Sequence, residues 1–289
     1  MIVAKLRGGL GNQLFQWATG YGLAQKLKVP LYLDLSVYSR NNARQFELAN
    51  IGLPVQVATE IHEAEARSAN VYRQPFYHFD PEFARLKSPC FLRGYFCSEK
   101  YFLDSRQSII DEIWKAFLKL KLSTEQCNFL NRLESDSDSI ALHVRRGDYV
   151  SNSGYNDFFG ACSLDYYRMA VANVLENSKK PVTFYVFSDD LVWCKEHLVD
   201  LAPRLKFVDV NVDSSPVYDM YFMAACSHHI IANSTFSWWS AFLNCKESRR
   251  VITPSRWFKS NYRKKSKGAW IKSEHYDLSD LRPRGWVAL

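Results

Sequence analysis

Ile2-Val3-Ala4-Lys5-Leu6-Arg7-Gly8-Gly9-Leu10-Gly11-Asn12-Gln13 opens the reading that decides the fold. Residues 2–6 are short, apolar and β-branched at two of the first positions, which reads as a strand. The glycines supply a turn. Leu14, Phe15, Ala18, Tyr21, Gly22, Leu23 and Leu27 then recur at the spacing of a helix with one apolar face. Pro30 ends that helix, and Leu31-Tyr32-Leu33-Asp34 reads as a second strand. Strand, helix and strand in this order form a βαβ unit, the building block of an open parallel sheet.

The same alternation returns in the second half. Residues 140–144, 181–187, 205–210, 229–232 and 251–253 read as strands. Residues 164–176 (capped by Ser163), 191–198, 216–226 and 236–243 read as helices. Residues 104–120 are also helical in pattern. The stretch 36–98 is weaker, rich in polar and aromatic residues, and is expected to supply loops and short elements that form an acceptor surface. Glu134-Ser135-Asp136-Ser137-Asp138-Ser139 is polar and acidic and is the expected linker. A chain of 289 residues is long for one core. The expected organisation is therefore α/β, with two Rossmann-like domains at 1–135 and 136–289.

Bulk properties exclude several classes. The composition, 47% hydrophobic and 23% charged, is that of an ordinary globular protein. Seven cysteines lie scattered without a C-x-x-C pair, which argues against a disulfide framework and against a zinc site. No apolar run is long enough to span a bilayer and no signal peptide is evident, so the expected compartment is a reducing cytoplasm. The net charge of +7 is concentrated in Arg249, Arg250, Arg256, Lys259, Arg263, Lys264, Lys265, Lys267 and Lys272. No nucleic-acid-binding motif accompanies this stretch, so no nucleic-acid partner is expected. A solvated basic face and peripheral contact with an anionic membrane both remain open.

Four polar clusters sit at strand ends, where parallel sheets bind their ligands. The first is the turn that contains Gly9, Gly11, Asn12 and Gln13. It resembles a dinucleotide-binding loop, with Asp34 near the place of a ribose-binding acid, but Leu14 stands where the third glycine belongs. The second is His143-Val144-Arg145-Arg146-Gly147-Asp148-Tyr149. Paired guanidiniums beyond a strand end suit a diphosphate and can stabilise its charge as a leaving group without a metal. The third is Phe187-Ser188-Asp189-Asp190, whose carboxylates suit a helix cap or a nucleotide contact better than a cation. The fourth is His228-His229-Ile230-Ile231-Ala232-Asn233-Ser234-Thr235, a strand running into a helix N-terminus. The two histidines point to opposite faces of the strand and make poor joint metal ligands. A non-catalytic glycan-binding protein would account for the aromatic residues but not for four polar clusters.

Taken together, the motifs Gly8-Gly9-Leu10-Gly11-Asn12-Gln13-Leu14-Phe15-Gln16, His143–Tyr149, Phe187–Asp190 and 231–239 resemble glycosyltransferase family 11, the α-1,2-fucosyltransferases. The resemblance spans nearly the whole chain. It implies a GT-B-type fold, two Rossmann-like domains facing across a cleft, with the donor held mainly by the C-terminal one. It implies GDP-β-L-fucose as co-substrate, inversion, transfer to the 2-hydroxyl of a galactose in a glycan, and no required metal or other cofactor. Arg145 matches the arginine that contacts the diphosphate. His143, Asn233, Ser234 and Thr235 complete the nucleotide site, with Gly9, Gly11 and Gln13 beside it. More distant similarity places His228 by the guanine, Asp190 near the nucleoside and Asn12 beside the transferred fucose. Asp148 is the nearest carboxylate for a general base. Resemblance to bacterial members that decorate surface glycans implies a galactose-terminated acceptor, and the basic C-terminal stretch leaves open contact with anionic lipid or with a lipid-linked form of that acceptor at the inner membrane face.

Overall fold

The structure, a computed structural model, describes residues 1–38, 45–75, 77–211, 215–259, 263–266, 269–272 and 277–289. Contacts divide the chain into two units, Met1–Leu120 with Tyr276–Pro283 and Lys121–His275 with Arg284–Leu289. Both are α/β units built on parallel sheets, as the strand–helix alternation predicts.

The first unit contains β1 (Ile2–Lys5), α1 (Leu10–Leu27), β2 (Leu31–Asp34), α2 (Leu48–Ile51), α3 (Glu60–Ala69), β3 (Val71–Arg73), β4 (Cys90–Arg93) and α4 (Arg106–Phe117). The four strands form one parallel sheet in the order β2-β1-β4-β3. The order reverses at β1, since β2 lies on one side of it and β4 on the other. α1 stops at Lys28, whose left-handed backbone (φ 55°) lets its N–H close on the carbonyls of Ala24 and Gln25. On α4, Ile109, Ile110, Ile113 and Phe117 recur on one face and are buried. Truncating Ile113 to Ala removes about 2–5 kcal/mol, because the surrounding side chains close only part of the hole. α3 lays Ala66 against Val3 and Phe91.

The second unit contains α5 (Thr124–Ser135), β5 (Ser139–Val144), α6 (Gly147–Ser151), α7 (Ser153–Phe158), α8 (Leu164–Glu176), β6 (Thr183–Ser188), α9 (Leu191–His197), β7 (Leu205–Phe207), α10 (Pro216–Ala225), β8 (His228–Ile230), α11 (Thr235–Leu243), β9 (Val251–Thr253), β10 (Arg263–Ser266), β11 (Ala269–Lys272) and β12 (Val287–Ala288). Six strands form a parallel sheet in the order β12-β9-β8-β5-β6-β7, and β10 pairs with β11 as an antiparallel ribbon. All six residues of β5 are buried, as expected for a central strand covered by helices on both faces. The chain runs outward from β5 to β6 and β7, then returns to place β8 on the other side of β5. The order of this sheet therefore reverses at β5, and the crevice at such a reversal is where an open parallel sheet binds ligand.

Three features differ from the sequence expectation. The stretch expected to be a linker holds the last turn of α5 and the first residue of β5, Ser139. Its acidic and hydroxyl side chains cap and turn the backbone: Asp136 Oδ1 accepts from the Asp138 N–H at 3.1 Å. α5 belongs with the second sheet, because Phe129 packs edge-on against Tyr185 and Phe222. The contact boundary accordingly falls at 120/121 rather than at 135/136, and the segment 276–283 rejoins the first unit. Finally, one of the short elements in the stretch 36–98, β4, is not peripheral but lies in the sheet directly beside β1.

No helix among the described residues is long and apolar enough to cross a membrane. The basic residues Arg263, Lys264, Lys265 and Lys272 lie on the β10–β11 ribbon. Lys267 lies outside the described residues.

Candidate active site

β5 delivers its polar residues to the order-reversal point of the second sheet. Register pairs Val144 with Ser188, so the residues just beyond the two strands meet: Arg145 and Arg146 from one, Asp189 and Asp190 from the other. Arg145 is held by two carboxylates. Its Nη2 donates to Asp148 Oδ1 at 2.5 Å and its Nη1 to Asp189 Oδ2 at 2.7 Å. Burial alone would disfavour the Arg145 charge, but Asp189 and Asp148 outweigh it and raise its pKa above the ordinary value. Arg146 donates from Nε to Asp190 Oδ2 at 3.1 Å and lies with its guanidinium carbon 3.9 Å from the centre of the Trp193 ring.

Asp189 is itself fixed. Its Oδ1 accepts from the Arg146 N–H at 2.8 Å, and its carboxylate lies over the backbone of Gly147. A Cβ at position 147 would stand 2.5 Å from Asp189 Oδ2, so any side chain there evicts the carboxylate. Asp190 plays the capping role open to it from sequence: its Oδ1 accepts from the Trp193 N–H at 3.1 Å at the start of α9.

His143 is one residue inward, 5% exposed, with its ring 5.6 Å from that of Phe236. Burial pushes its pKa down to about 4, with smaller opposed effects from Asp189 and Arg145, so the ring is neutral at ordinary pH. Its Nδ1 is buried without a hydrogen-bond partner among the described residues. Such a group is costly to bury and is a ready contact for a ligand.

Asn233, Ser234 and Thr235 enter α11 at the same end of the sheet. Ser234 caps the helix by accepting from the Phe236 N–H at 3.3 Å, and Thr235 is half-buried in the first turn. Asn233 is committed elsewhere. Its amide donates to the carbonyls of Gly160 (3.0 Å), Trp257 (3.2 Å) and Phe159 (3.4 Å), and its own carbonyl accepts from Tyr149 Oη at 3.0 Å. Asn233 thus knits the segment after Arg145 to the sheet. Tyr149, held so, stacks on Phe159 with ring centres 4.9 Å apart and planes 6° apart.

His228 is not brought to this cluster. It pairs with Ile140 near the beginning of β5, at the opposite end of the sheet from Arg145. Its Nδ1 accepts from the Arg250 N–H at 3.0 Å. The guanine contact expected of it is corrected on this ground: strands in parallel register carry residues with such different partners to opposite edges.

The first unit presents its own glycine loop at the reversal point of its sheet. Gly8 takes a positive φ of 82°, Gly9 precedes α1 in extended conformation, and Gly11 is buried in the first turn. A Cβ on Gly8 would stand 2.6 Å from Asn12 Nδ2. Gln13 is fully buried and saturated: it donates to the carbonyls of Gly8 (2.9 Å) and Gln45 (2.8 Å) and accepts from the N–H groups of Glu47 (2.8 Å) and Leu48 (3.3 Å). With every donor and acceptor of its amide in use, Gln13 braces the loop. Asp34 does not offer a ribose acceptor either. It is buried, takes Lys5 Nζ at 2.8 Å and the Ser36 N–H at 2.9 Å, and lies 3.5 Å from Arg67 Nη2.

A family model for glycosyl transferase family 11 matches residues 1–276. The chain belongs to glycosyl transferase family 11. It is 32% identical over 301 positions to the O-antigen biosynthesis glycosyltransferase WbnK of Escherichia coli, across 92% of this chain and 98% of the relative. It is 30% identical over 308 positions to an alpha-1,2-colitosyltransferase of Escherichia coli, across 100% of this chain and 99% of the relative. Among solved structures it is similar to the NodZ alpha-1,6-fucosyltransferase soaked with GDP-fucose, at 16% identity and a TM-score of 0.42, covering 84% of this chain and 91% of that one.

In this family 11 glycosyltransferase the contact that sequence reading missed is the ion pair of Asp189 with Arg145. Two adjacent aspartates look alike in sequence, and the first gives no sign that it reaches Arg145 across the strand pair. The signal was available in Gly147: a glycine beside a packed arginine pair marks a close approach. Among the described residues no three His, Cys, Asp or Glu side chains gather as a metal site.

Proposed function

We propose that the chain transfers L-fucose from GDP-β-L-fucose, with inversion and without a metal, to the 2-hydroxyl of a galactose residue in a glycan. The observation that carries this reading is Arg145, a half-buried guanidinium oriented by two carboxylates at the order-reversal point of the second sheet. Departure of GDP builds negative charge on the β-phosphate, and a pre-oriented guanidinium stabilises it with little rearrangement. His143 offers its unpartnered Nδ1 to the nucleotide. Ser234 and Thr235 line the α11 entrance, with Asp190 near the nucleoside. Inversion needs the acceptor hydroxyl to attack in line, opposite the diphosphate, through an oxocarbenium-like state. Asp148 is ion-paired to Arg145, which favours an orienting role for it over that of general base.

The relative named as an alpha-1,2-colitosyltransferase, similar over this whole chain, favours one second reading, GDP-colitose as donor. The deciding experiment offers both sugar nucleotides with a panel of galactose-terminated glycans and determines the linkage by NMR. The proposal expects an α-1,2 product from GDP-fucose. Product from GDP-colitose alone selects the second donor, and transfer from neither, with no GDP binding by calorimetry, overturns both.

We further place the enzyme in the cytoplasm, acting on a lipid-linked acceptor at the inner membrane face, with the basic residues after Arg249 against anionic lipid. Co-sedimentation with vesicles of acidic lipid, absent with neutral vesicles, is the expected result. Equal behaviour with both removes the membrane contact.

A further inference from the structure

Every strand of the first sheet ends on a charged residue: Lys5, Asp34, Arg73 and Arg93. Register sets Lys5 opposite Asp34 and Arg73 opposite Arg93. Opposed residues on neighbouring strands point to the same face, so these form two side-by-side pairs at the carboxyl edge.

The two pairs are treated differently. Lys5 and Asp34 neutralise one another at 2.8 Å, with Arg67 close by. Arg73 and Arg93 are both exposed, their strands run about 4.8 Å apart, and among the described residues neither side chain meets a carboxylate. Like charges directly opposed across strands are destabilising.

A third arginine follows β1. The Arg7 guanidinium carbon lies 4.0 Å from the centre of the Tyr95 ring, and its Nε is buried with no hydrogen-bond partner. Arg7 too has no carboxylate among the described residues. The support beneath it is well built. Gln16 accepts from the Arg7 N–H at 2.8 Å and donates to the Gly94 carbonyl at 3.1 Å. Gln74 Oε1 accepts from the N–H groups of Tyr95 and Phe96, both at 2.9 Å. Phe96, buried, is held at a φ of 55°, a conformation that a non-glycine residue keeps only when its surroundings impose it.

Three guanidiniums that meet no carboxylate among the described residues thus stand at the ligand-binding edge of a parallel sheet, beside the loop that opens α1, whose first turn contains no acidic residue. We propose that Arg73, Arg93 and Arg7 form an anion site for the acceptor, taking a carboxylate or phosphate group that the glycan carries near the hydroxyl to be modified. That the acceptor supplies the anion rests on the transfer reaction proposed above. That the arginines bind an anion does not.

The test separates the two. Calorimetry is done on Arg145→Ala protein, so that the diphosphate site of the second unit is silent, with inorganic pyrophosphate and, separately, galacturonate as titrants. Binding of one or both is expected, weakened about tenfold or more when Arg73→Gln and Arg93→Gln are added, the loss of charge-assisted hydrogen bonds. Absence of binding by either titrant, or binding unchanged by the two substitutions, overturns the site. Preference between the titrants distinguishes a phosphate source from an acidic sugar. With Arg145 intact, kcat/KM is compared for galactosides with neutral, uronate and phosphate aglycones. The charged-to-neutral ratio is expected to fall about tenfold in Arg7→Gln and in the double variant. A ratio that does not move, while anion binding is lost, removes the acceptor and keeps the site.

Discussion

The central strands of the two sheets, β1 and β5, both run into arginine, glycine and a helix, yet they surround their arginines in opposite ways. After β5, each guanidinium is matched to carboxylates: Arg145 to Asp148 and Asp189, Arg146 to Asp190. After β1 and its neighbours, Arg7, Arg73 and Arg93 meet none among the described residues. Paired arginines are aimed; a counter-charge holds the plane of the guanidinium before any ligand arrives, which is the arrangement that transition-state stabilisation requires. Unpaired arginines are adaptable and attract charge in the ground state, which is the arrangement that binding requires. Under the two proposals made above, one motif type met twice in the same chain divides between chemistry and recognition according to its carboxylates.

The contrast breaks most sharply at Arg145. Arg145→Ala is expected to lower kcat by about a hundred- to a thousandfold with an unchanged circular dichroism spectrum. Turnover within a few-fold of the wild type would show that the aimed arginine is not the diphosphate ligand. Gly147→Ala tests the aiming itself. The added methyl displaces Asp189 and tilts Arg145, and a shift of that kind costs up to about a hundredfold in kcat while GDP affinity changes less. Equal losses in both would mean that Asp189 only supports binding.

Acid titration compares the units as wholes. In the second, burial holds His143 down to about 4 and His229 down to about 3, both below the unfolded histidine value of about 6.5. A depressed folded pKa gives stability that is present above the unfolded value and lost on acidification, here from about pH 6.5 down towards 4. Asp219, raised by burial to about 6, acts with the opposite sign, but one carboxyl stands against two histidines. In the first unit, burial raises the Asp34 pKa, but hydrogen bonds from Lys5 and Ser36 outweigh it and the net shift is downward. Its contribution is therefore lost only below the unfolded carboxylate value, about 3.9. Hydrogen exchange followed from pH 7 to pH 4 should show the second unit opening first; simultaneous opening would end the distinction. The smallest effect belongs to Ser163→Ala, which removes the cap that accepts from Tyr166 at 3.2 Å and should cost about 1 kcal/mol in urea unfolding.

What was legible in the sequence follows the same physical lines. β1, α1 and β2 could be read because a short apolar run, a glycine turn and a period of 3.6 succeed one another without interruption. β4 could not, though it lies beside β1: Cys90-Phe91-Leu92-Arg93 has four residues and no alternation, and is closed off by Pro89 and Gly94. α5 escaped because its apolar positions, Phe129, Leu130 and Leu133, are few and the acidic stretch that follows resembles a linker. At the site, Arg145 was legible as a strand-end charge. Asp189 was not, because reaching Arg145 depends on the β5–β6 register. His228 was read as part of the cluster at the end of β8, whereas it is the residue that begins that strand.

The last stretch of the chain has a bearing on how the protein is made. Residues 276–283 belong to the first unit, where Asp280 accepts from the Phe79 N–H at 2.9 Å and pairs with Lys100, and residues 284–289 supply β12, paired to β9 in the second. On the ribosome, then, the packing of the unit that emerges first is finished only once residues 276–283 have followed the whole second unit out, and the second waits a few codons longer. A nascent chain stalled before residue 276 therefore lacks a segment of each unit instead of carrying one finished domain.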